Sequence, residues 1–287
     1  MTSGQQVSTK IDEKSVTGEE GLYIYAIIGN GKEQPKGGKF DFSGIGNTGN
    51  QVFRVAYQNI AAVVSFSSII RYPVSRENTM AHQKVLEGLM QDFTVLPVRF
   101  GTVAGGKNGL SPDERIKEEV LKARYGELKD LLTGMDNKIE LGLKAFWNDM
   151  RVVFREIVEE NRAIKILKEK TASKNPLYTY GTRAVVGEKV KDALEQKKTK
   201  EEKDILSVLK EAYVDMCNNK IFGDNMITNA AFLVDKSKVE EFDGSVNKLA
   251  AAYDGRIKFK YVGPVPPCNF VELVIMLGEE KDGPSTD

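Results

Sequence analysis

The residues of this chain that could carry out chemistry are few and widely separated. The sequence holds one histidine, His82, and two cysteines, Cys217 and Cys268. A histidine or cysteine acts as a general base or a nucleophile only when folding brings a partner group within hydrogen-bonding distance. The spacing of these residues gives no sign of such a pairing, and they are too few for a zinc site within one chain. We therefore expect no catalytic residue, no metal site, and two buried thiols without a disulfide.

Three glycines match the spacing of a dinucleotide-binding loop. They are Gly44, Gly46 and Gly49. In a dinucleotide-binding loop, the glycines are followed by a helix whose N-terminus holds the phosphate. Here the following residues, 51–57, have the pattern of a strand, so no helix is available for that role. We interpret the glycines as a plain loop and expect no cofactor.

Charge and hydropathy exclude several classes of partner. Lysine plus arginine is 41 and aspartate plus glutamate is 41, which gives a net charge of zero. A neutral chain has no overall field that attracts nucleic acid or an anionic membrane. The first twenty residues are polar and are expected to form a disordered leader, and no run of about 18 apolar residues is present. We expect a cytoplasmic protein with no nucleic acid and no membrane partner.

The patterns of residues 21–136 predict an N-terminal α+β domain. Ser75 and Ser111 are placed to cap two amphipathic helices, the first with Met80 on its buried face. Pro97 cannot donate a hydrogen bond to a strand ladder, so its strand is expected at a sheet edge or at a bulge, and such an edge would be accessible. Short apolar runs bounded by glycine or polar turn residues predict strands over 22–28, 51–57, 60–66 and 94–100.

Residues 137–277 predict a second, C-terminal α+β domain. Alternating apolar and polar residues indicate a half-buried strand over 139–147. Helical patterns follow over 149–170 and 183–218, and Pro176 marks the break between this helical pair.

The remaining patterns of the second half complete a mainly antiparallel sheet with helices on one face. The mixed-sign run 195–204 is typical of a solvated helix and predicts a projecting helix or its tip. Residues 278–287 form an acidic tail. The fold class is therefore α+β with two domains, the second a ferredoxin-like variant with a long helical insertion. The rest of the second half is predicted to be a strand over 226–234, a helix over 237–253, a strand over 257–262, a proline-rich bend, and a strand over 269–277.

Several stretches, in chain order over residues 21–277, together resemble the gas vesicle protein F/L family. The more specific one is Val95-Leu-Pro-Val-Arg-Phe-Gly-Thr-Val103, with Val98 where the family usually has phenylalanine. Near the end, Gly263-Pro-Val-Pro-Pro-Cys-Asn-Phe-Val271 resembles a closing motif, with Cys268 where an aromatic residue is usual. The other points of similarity are Leu22-Tyr-Ile-Tyr25, Gly44-Ile-Gly46, Ile60-Ala-Ala-Val-Val-Ser65 and Glu140-Leu-Gly-Leu-Lys144.

This resemblance implies a structural or accessory protein of gas vesicles, the hollow protein-walled flotation compartments of some bacteria and archaea. Proteins of the family are not known as enzymes. The implied fold is two α+β domains, the second a modified ferredoxin-like one. The implied partners are the small, very hydrophobic major shell protein and other gas vesicle accessory proteins, and the implied location is the cytoplasm and the gas vesicle.

Two segments are our candidates for partner binding. A shell subunit that polymerises through apolar faces would aggregate if it were free, so a soluble partner could cover an edge or apolar patch. Simple domain packing is the rival interpretation of both segments, and Arg99 could instead form a structural ion pair. A different class of function also stays open, a small-molecule-sensing regulatory protein with a ferredoxin-like ligand domain. The candidate residues are Leu96, Pro97, Val98, Arg99 and Phe100 of the edge strand, and Pro264, Pro266, Pro267 and Phe270 of the bend.

Overall fold

The computed structural model describes residues 21–29, 39–46, 51–172 and 176–277 of the chain. Within these residues the chain divides into two compact units. The first unit runs to Asp136 and also contains the segment that begins at Glu272, and the second is Asn137–Val271. The sequence analysis placed all of residues 137–277 in one domain, which is wrong for the segment from Glu272 onward. The predicted leader, the acidic tail and Gly49 lie outside the described residues.

An antiparallel sheet forms the centre of the first unit. Its strand order is β2-β3-β4-β1-β5, and β6 also pairs with β1. The predicted hairpin between β3 and β4 is confirmed, with Gln58 in the left-handed region at the turn. The strands in chain order are β1 (Gly21–Gly29), β2 (Lys39–Ser43), β3 (Gln51–Tyr57), β4 (Ile60–Ser67), β5 (Val95–Pro97) and β6 (Val103–Ala104).

The helices of the first unit begin at the predicted caps. Before α1 (Arg76–Leu89), the Ser75 hydroxyl accepts a hydrogen bond from the Asn78 amide at 3.2 Å. At the second cap, the Ser111 amide and hydroxyl both donate to the Glu114 carboxylate. The single predicted helix after Ser111 is instead α2 (Pro112–Arg115), a π-helical segment (Ile116–Lys122) and α3 (Tyr125–Met135). Met80 was predicted on the buried face of α1 but is exposed, and the buried residues are His82, Val85, Leu86 and Leu89.

A tyrosine of β1 fixes the glycine loop that follows β2. The Tyr25 hydroxyl lies 2.8 Å from the Ser65 hydroxyl and accepts a hydrogen bond from the Ile45 amide at 2.7 Å. Both Tyr25 and Ile45 are fully buried. A Cβ on Gly44 would lie 2.7 Å from the hydroxyl oxygens of Ser65 and Tyr25. Glycine is needed at this position because the backbone passes directly over two buried hydroxyl groups.

The second unit combines a four-stranded antiparallel sheet with helices, within the residues that the structure describes. The strand order is β10-β7-β9-β8. A short 3₁₀ turn, Lys236–Lys238, precedes the last helix. The elements in chain order are β7 (Lys138–Trp147), α4 (Met150–Glu160), α5 (Arg162–Ala172), α6 (Pro176–Leu209), β8 (Asp215–Asn218), β9 (Met226–Asp235), α7 (Val239–Ala252) and β10 (Ile257–Val265).

Three sequence-based predictions for the second half are wrong. The first helical pattern is interrupted at Asn161, whose side chain caps the next helix by accepting from the Ala163 and Ile164 amides. The second predicted helix begins at Pro176 and not at residue 183, at a helix position that needs no amide donor. Because α5 ends at Ala172, Pro176 still marks the break between the two helical stretches, as predicted. The predicted helix over 183–218 ends at Leu209, and its last four residues form β8.

The charged run 195–204 lies within α6 and is not the projecting helix tip that the sequence predicted, because one side of it is buried. Glu201 is buried, and its carboxylate accepts hydrogen bonds from the Trp147 indole at 2.6 Å and from Arg256 at 2.5 Å. Arg256 also binds Glu156 of α4, and this hydrogen bond holds the pKa of the Glu156 carboxyl below its usual range. Lys197 lies 3.1 Å from the same Glu156 carboxylate. These charges tie α6 to β7, to α4 and to the start of β10.

We expect Gly44→Ala to destabilise the first unit by about 1–3 kcal/mol, because its methyl group would overlap two buried hydroxyl oxygens. Thermal or urea unfolding measures the effect. The matched control is Gly126→Ala in α3, where an added Cβ meets no atom within 4 Å. The control should leave stability unchanged or raise it by up to about 1 kcal/mol. Equal stability of Gly44→Ala and the original protein would contradict the steric argument.

Candidate functional site

The strand that contains Pro97, β5, lies at an edge of the sheet as predicted, but its side chains are not accessible to a partner. Leu96, Pro97 and Val98 are all buried. The strand spans only Val95–Pro97, shorter than the predicted 94–100. These three side chains therefore cannot form a partner surface in this structure, and the predicted accessibility of the edge is wrong.

A segment near the end of the chain covers this edge. Val98 and Leu273 form an isolated parallel bridge. The Leu273 amide donates to the Pro97 carbonyl at 2.9 Å, and the Arg99 amide donates to the Leu273 carbonyl at 3.0 Å. Leu273 is 3% exposed, and the Arg124 guanidinium donates to the Val274 carbonyl at 3.1 Å. The predicted strand over 269–277 is reduced to this single bridge, because the chain turns at 268–270.

The last two candidate residues of the edge segment differ in exposure. Arg99 is exposed and makes no ion pair with any residue that the structure describes, so the structural ion pair considered for it is not found there. Phe100 is half-buried, and its ring lies 6.4 Å from Tyr23 and 5.7 Å from His82, edge-on to both. Phe100 therefore stabilises the first unit with one part of its ring and leaves the other part accessible.

The proline-rich bend of the second unit is mostly a structural anchor. Pro264 is exposed and Phe270 is half-buried, whereas Pro266 and Pro267 are buried and unavailable to a partner. The amide and the side-chain amide of Asn269 both donate to the Glu140 carboxylate.

Glu140 is buried, although its position in the alternating pattern of β7 predicts exposure to solvent. The alternation along β7 predicted an outward-facing, solvated Glu140, but the residue is 5% exposed because the bend covers it. Burial raises the pKa of the Glu140 carboxyl, and the hydrogen bonds from Asn269 oppose that rise. The carboxylate therefore serves to hold the bend.

His82 and the two cysteines are not arranged as a catalytic site. His82 Nδ1 lies 2.9 Å from the Tyr23 hydroxyl, which also accepts a hydrogen bond from the Gly101 amide at 3.0 Å. The histidine tautomer decides whether the tyrosine or the histidine donates in the first of these hydrogen bonds. The imidazole stacks on Tyr25 at 5.7 Å. Neither Cys217 nor Cys268 forms a disulfide, but neither is fully buried as predicted, and Cys268 is exposed. Among the described residues, no group of three histidine, cysteine, aspartate or glutamate side chains could hold a metal ion.

An apolar surface that the sequence analysis did not select lies on the first unit. We name it the Phe66 surface and define it by Phe53, Val55, Phe66 and Pro112. The rings of Phe53 and Phe66 are 5.1 Å apart, and the four residues line an open cavity of about 640 Å³. Phe66 is 51% exposed although it lies on a strand. The sequence analysis placed Phe53 and Phe66 only within the predicted strands over 51–57 and 60–66, and nothing in that pattern marks the outer position of Phe66.

Further exposed aliphatic side chains follow Phe66 in the chain. Ile69, Ile70 and Val74 lie between β4 and α1, and Val74 is 84% exposed. Tyr72, in the same stretch, is buried and donates to or accepts from the Ser67 hydroxyl at 2.9 Å. Single exposed apolar residues are ordinary, but several close together in the chain, following a half-exposed Phe66 that lines an open cavity, indicate a binding surface. Arg54, Asp113 and Lys117 also line that cavity and give it a charged rim.

Comparison with known proteins places this chain in a family. The family model described as "Gas vesicle synthesis protein GvpL/GvpF" matches residues 21–272. The chain belongs to this family. It is 24% identical over 267 residues to gas vesicle protein F1 of Halobacterium salinarum, covering 92% of this chain and 99% of that protein. It is 29% identical over 229 residues to gas vesicle protein F of a Streptomyces species, covering 80% of this chain and 91% of that protein.

Solved structures of GvpF share the fold. The crystal structure of GvpF from an Anabaena species superposes with a TM-score of 0.76 at 21% identity, and covers 89% of this chain and all of that one. The structure from Microcystis aeruginosa gives a TM-score of 0.67 at 23% identity, and covers 88% of this chain and 99% of that one. The similarity confirms the mixed helix and sheet architecture. None of the described helices has the length and apolar character needed to cross a membrane.

We expect His82 to make stability depend on pH between about 6.5 and 4. Burial lowers its pKa from the ordinary 6.5 to about 4. Between these pH values the His82 side chain is protonated in the unfolded chain but neutral in the folded chain. The contribution of His82 to the free energy of unfolding is therefore fully present above pH 6.5 and is lost as pH falls towards 4. The loss from this group approaches about 3 kcal/mol.

Urea unfolding at several pH values checks this expectation, with His82→Gln as the comparison. The chain has one histidine, so the variant should flatten the dependence between pH 7 and pH 5, where most carboxylates stay ionised. An identical slope for the variant and the original protein would show that His82 does not carry the effect.

Proposed function

We propose that this protein is a gas vesicle accessory protein that binds the major shell protein and other gas vesicle proteins during vesicle assembly, in the cytoplasm and at the vesicle. Membership of the GvpL/GvpF family carries this proposal. Relatives named gas vesicle protein F that span nearly the whole chain support it. No described residue is assigned a catalytic role in it.

The second unit supports the proposal through its topology. Its element order is one strand, three helices, two strands, one helix and one strand, and its sheet order is β10-β7-β9-β8. We infer that this unit is a modified ferredoxin-like domain, in which α4, α5 and α6 replace the usual single helix between the first two strands. Together with the α+β first unit, it makes the two-domain arrangement that the family resemblance implies.

The Phe66 surface is the part of the first unit that suits an apolar partner best. A small hydrophobic shell protein that polymerises through apolar faces needs a partner that covers those faces before assembly. Phe66 offers half of its side chain to solvent beside an open cavity. Aromatic residues at an accessible pocket are frequent energetic centres of interfaces.

The sequence-predicted binding residues that remain accessible are proposed as additional contacts with the partner, beside the Phe66 surface. In the first unit they are Arg99 and the outer part of Phe100, and in the second unit Pro264 and the outer part of Phe270. The buried members of both segments act by holding these residues in place. Main-chain pairing of a partner with β5 is not part of the proposal, because Leu273 already pairs with that edge.

We expect Phe66→Asp to weaken binding to the purified major shell protein by about tenfold or more, since it places a charge at the centre of the apolar surface. A pull-down with quantified bound fraction measures the change. Phe154→Asp is the matched control, because Phe154 is an exposed aromatic residue on α4 of the other unit. Circular dichroism must show that both variants are folded.

Phe100 and Phe270, which belong to the two binding segments predicted from the sequence, are tested in the same way. Phe100→Asp and Phe270→Asp are each expected to weaken binding less than Phe66→Asp, because both rings are partly buried in their own units. If all three folded variants keep full binding, the proposed surfaces are wrong. If the unmodified protein does not bind the shell protein at all, the proposed function is wrong.

A further inference from the structure

One face of the sheet in the second unit carries an unusual group of lysines. Along β7, Lys144 and Phe146 alternate with the buried Leu143 and Ala145. The β10 register places Lys260 opposite Lys144 and Lys258 opposite Phe146. Paired residues of an antiparallel ladder share a face, so these three lysines lie on the same side of the sheet.

The α7 helix packs on the other side. Phe242 of α7 stacks on Tyr261 of β10 at 6.0 Å and lies 5.1 Å from Phe232 of β9. Residues of β10 that alternate with Tyr261, which are Lys260 and Val262, therefore point away from α7. Both are exposed. The lysine-bearing side is the face that α7 does not cover.

An open cleft of about 460 Å³ lies on this side of the sheet. Its floor is made of small residues, Gly142 of β7 and Ala231 of β9, which are directly paired. Lys144 and the loop residues Lys220 and Phe222 line it as well. The Asn229 side chain fixes that loop by donating to the Lys220 carbonyl at 2.9 Å. The cleft is thus shaped by backbone and side chains that are themselves held in place.

The lysines of this face lack carboxylate partners. We name Lys144, Lys220, Lys258 and Lys260 the lysine face. None of them forms an ion pair with any residue in the described part of the chain, and the ammonium groups of Lys220 and Lys260 instead lie over the rings of Phe222 and Phe146, at 5.4 and 5.3 Å. Lys197 of the same unit, in contrast, contacts two glutamates.

The acid nearest to the cleft does not compensate these charges. Glu140 lines the cleft, but both donors of Asn269 already bind its carboxylate. Lys144 is half-buried, and a partly desolvated ammonium group without a carboxylate partner favours an incoming anion. The whole chain is neutral, so this local excess of positive charge is a property of the face alone.

The size of the lysine face indicates what kind of anion fits it. Neighbouring strands are about 4.8 Å apart and alternate residues of one strand about 7 Å apart, so the four ammonium groups spread over roughly 10–15 Å. A single carboxylate or phosphate cannot reach all of them. Apolar and small residues, Gly142, Ala231 and Val262, lie between the charges. The site therefore suits a ligand that alternates negative and apolar groups.

We propose that the lysine face binds an acidic segment of a protein partner, with carboxylates on the four lysines and apolar side chains over the floor of the cleft. A nucleic acid fits less well, because its backbone carries a phosphate at every residue and does not alternate charges with apolar side chains that could cover Gly142 and Ala231. This binding is separate from the apolar contact proposed for the first unit, and it does not depend on the shell protein.

The test uses the full chain and a short fluorescein-labelled peptide of alternating glutamate and valine, followed by fluorescence anisotropy. We expect binding at low salt that weakens as salt is raised, because exposed charge pairs are screened. Lys144→Glu combined with Lys260→Glu should weaken binding by about tenfold or more. The matched control is Lys203→Glu with Lys248→Glu, two exposed lysines of the same unit that do not belong to the lysine face.

Other probes and variants make the outcome decisive. If the double glutamate variant is not folded by circular dichroism, Lys144→Met with Lys260→Met removes the charges without reversing them and should still weaken binding. The proposal is overturned if the peptide does not bind, or if the control pair weakens binding as much as the substitutions of Lys144 and Lys260. It is also overturned if oligothymidine binds more tightly than the peptide, or if free citrate binds as tightly as the peptide.

Discussion

Two main-chain hydrogen bonds to Leu273 close the β5 edge of the first sheet. This closure decides whether the segment around Pro97 can pair with the main chain of a partner. An open strand edge pairs readily with other chains, and a protein that handles aggregation-prone subunits would be exposed to that risk. Here the Pro97 carbonyl and the Arg99 amide are both occupied by Leu273. The motif around Pro97 is therefore a structural closure, and this edge does not offer its main chain to a partner.

Buried polar groups hold each unit in one arrangement. In the first unit, the hydroxyls of Tyr23 and Tyr25 are satisfied by His82, Ser65 and backbone amides, so two aromatic residues can be fully buried on the central strand. In the second unit, Glu201 accepts from Trp147 and Arg256 and connects α6 to the sheet. Removing one partner of such a group leaves the other unsatisfied, which makes these positions sensitive to substitution.

The sequence predicted local elements well and burial less well. The hairpin at Gln58 and the cap at Ser75 follow from turn and capping chemistry, which acts over a few residues. The burial of Glu140 and Glu201 depends on Asn269 and Trp147, which are more than fifty positions away, so a local pattern could only class both as solvated. The closure of β5 by Leu273 is equally remote. The family model confirms the family resemblance, and Gly44 of one of its motifs lies against the Tyr25 and Ser65 hydroxyls, a contact that only the fold brings about.

The apolar surface lies on the first unit and the lysine face on the second, and neither uses the β5 edge that Leu273 closes. Native-state hydrogen exchange of the Arg99 and Leu273 amides tests that closure most directly. We expect both amides to exchange much more slowly than in an unstructured peptide, with or without the shell protein. Fast exchange in the isolated protein, slowed only when the shell protein is added, would mean that the edge is free and binds partners by strand pairing.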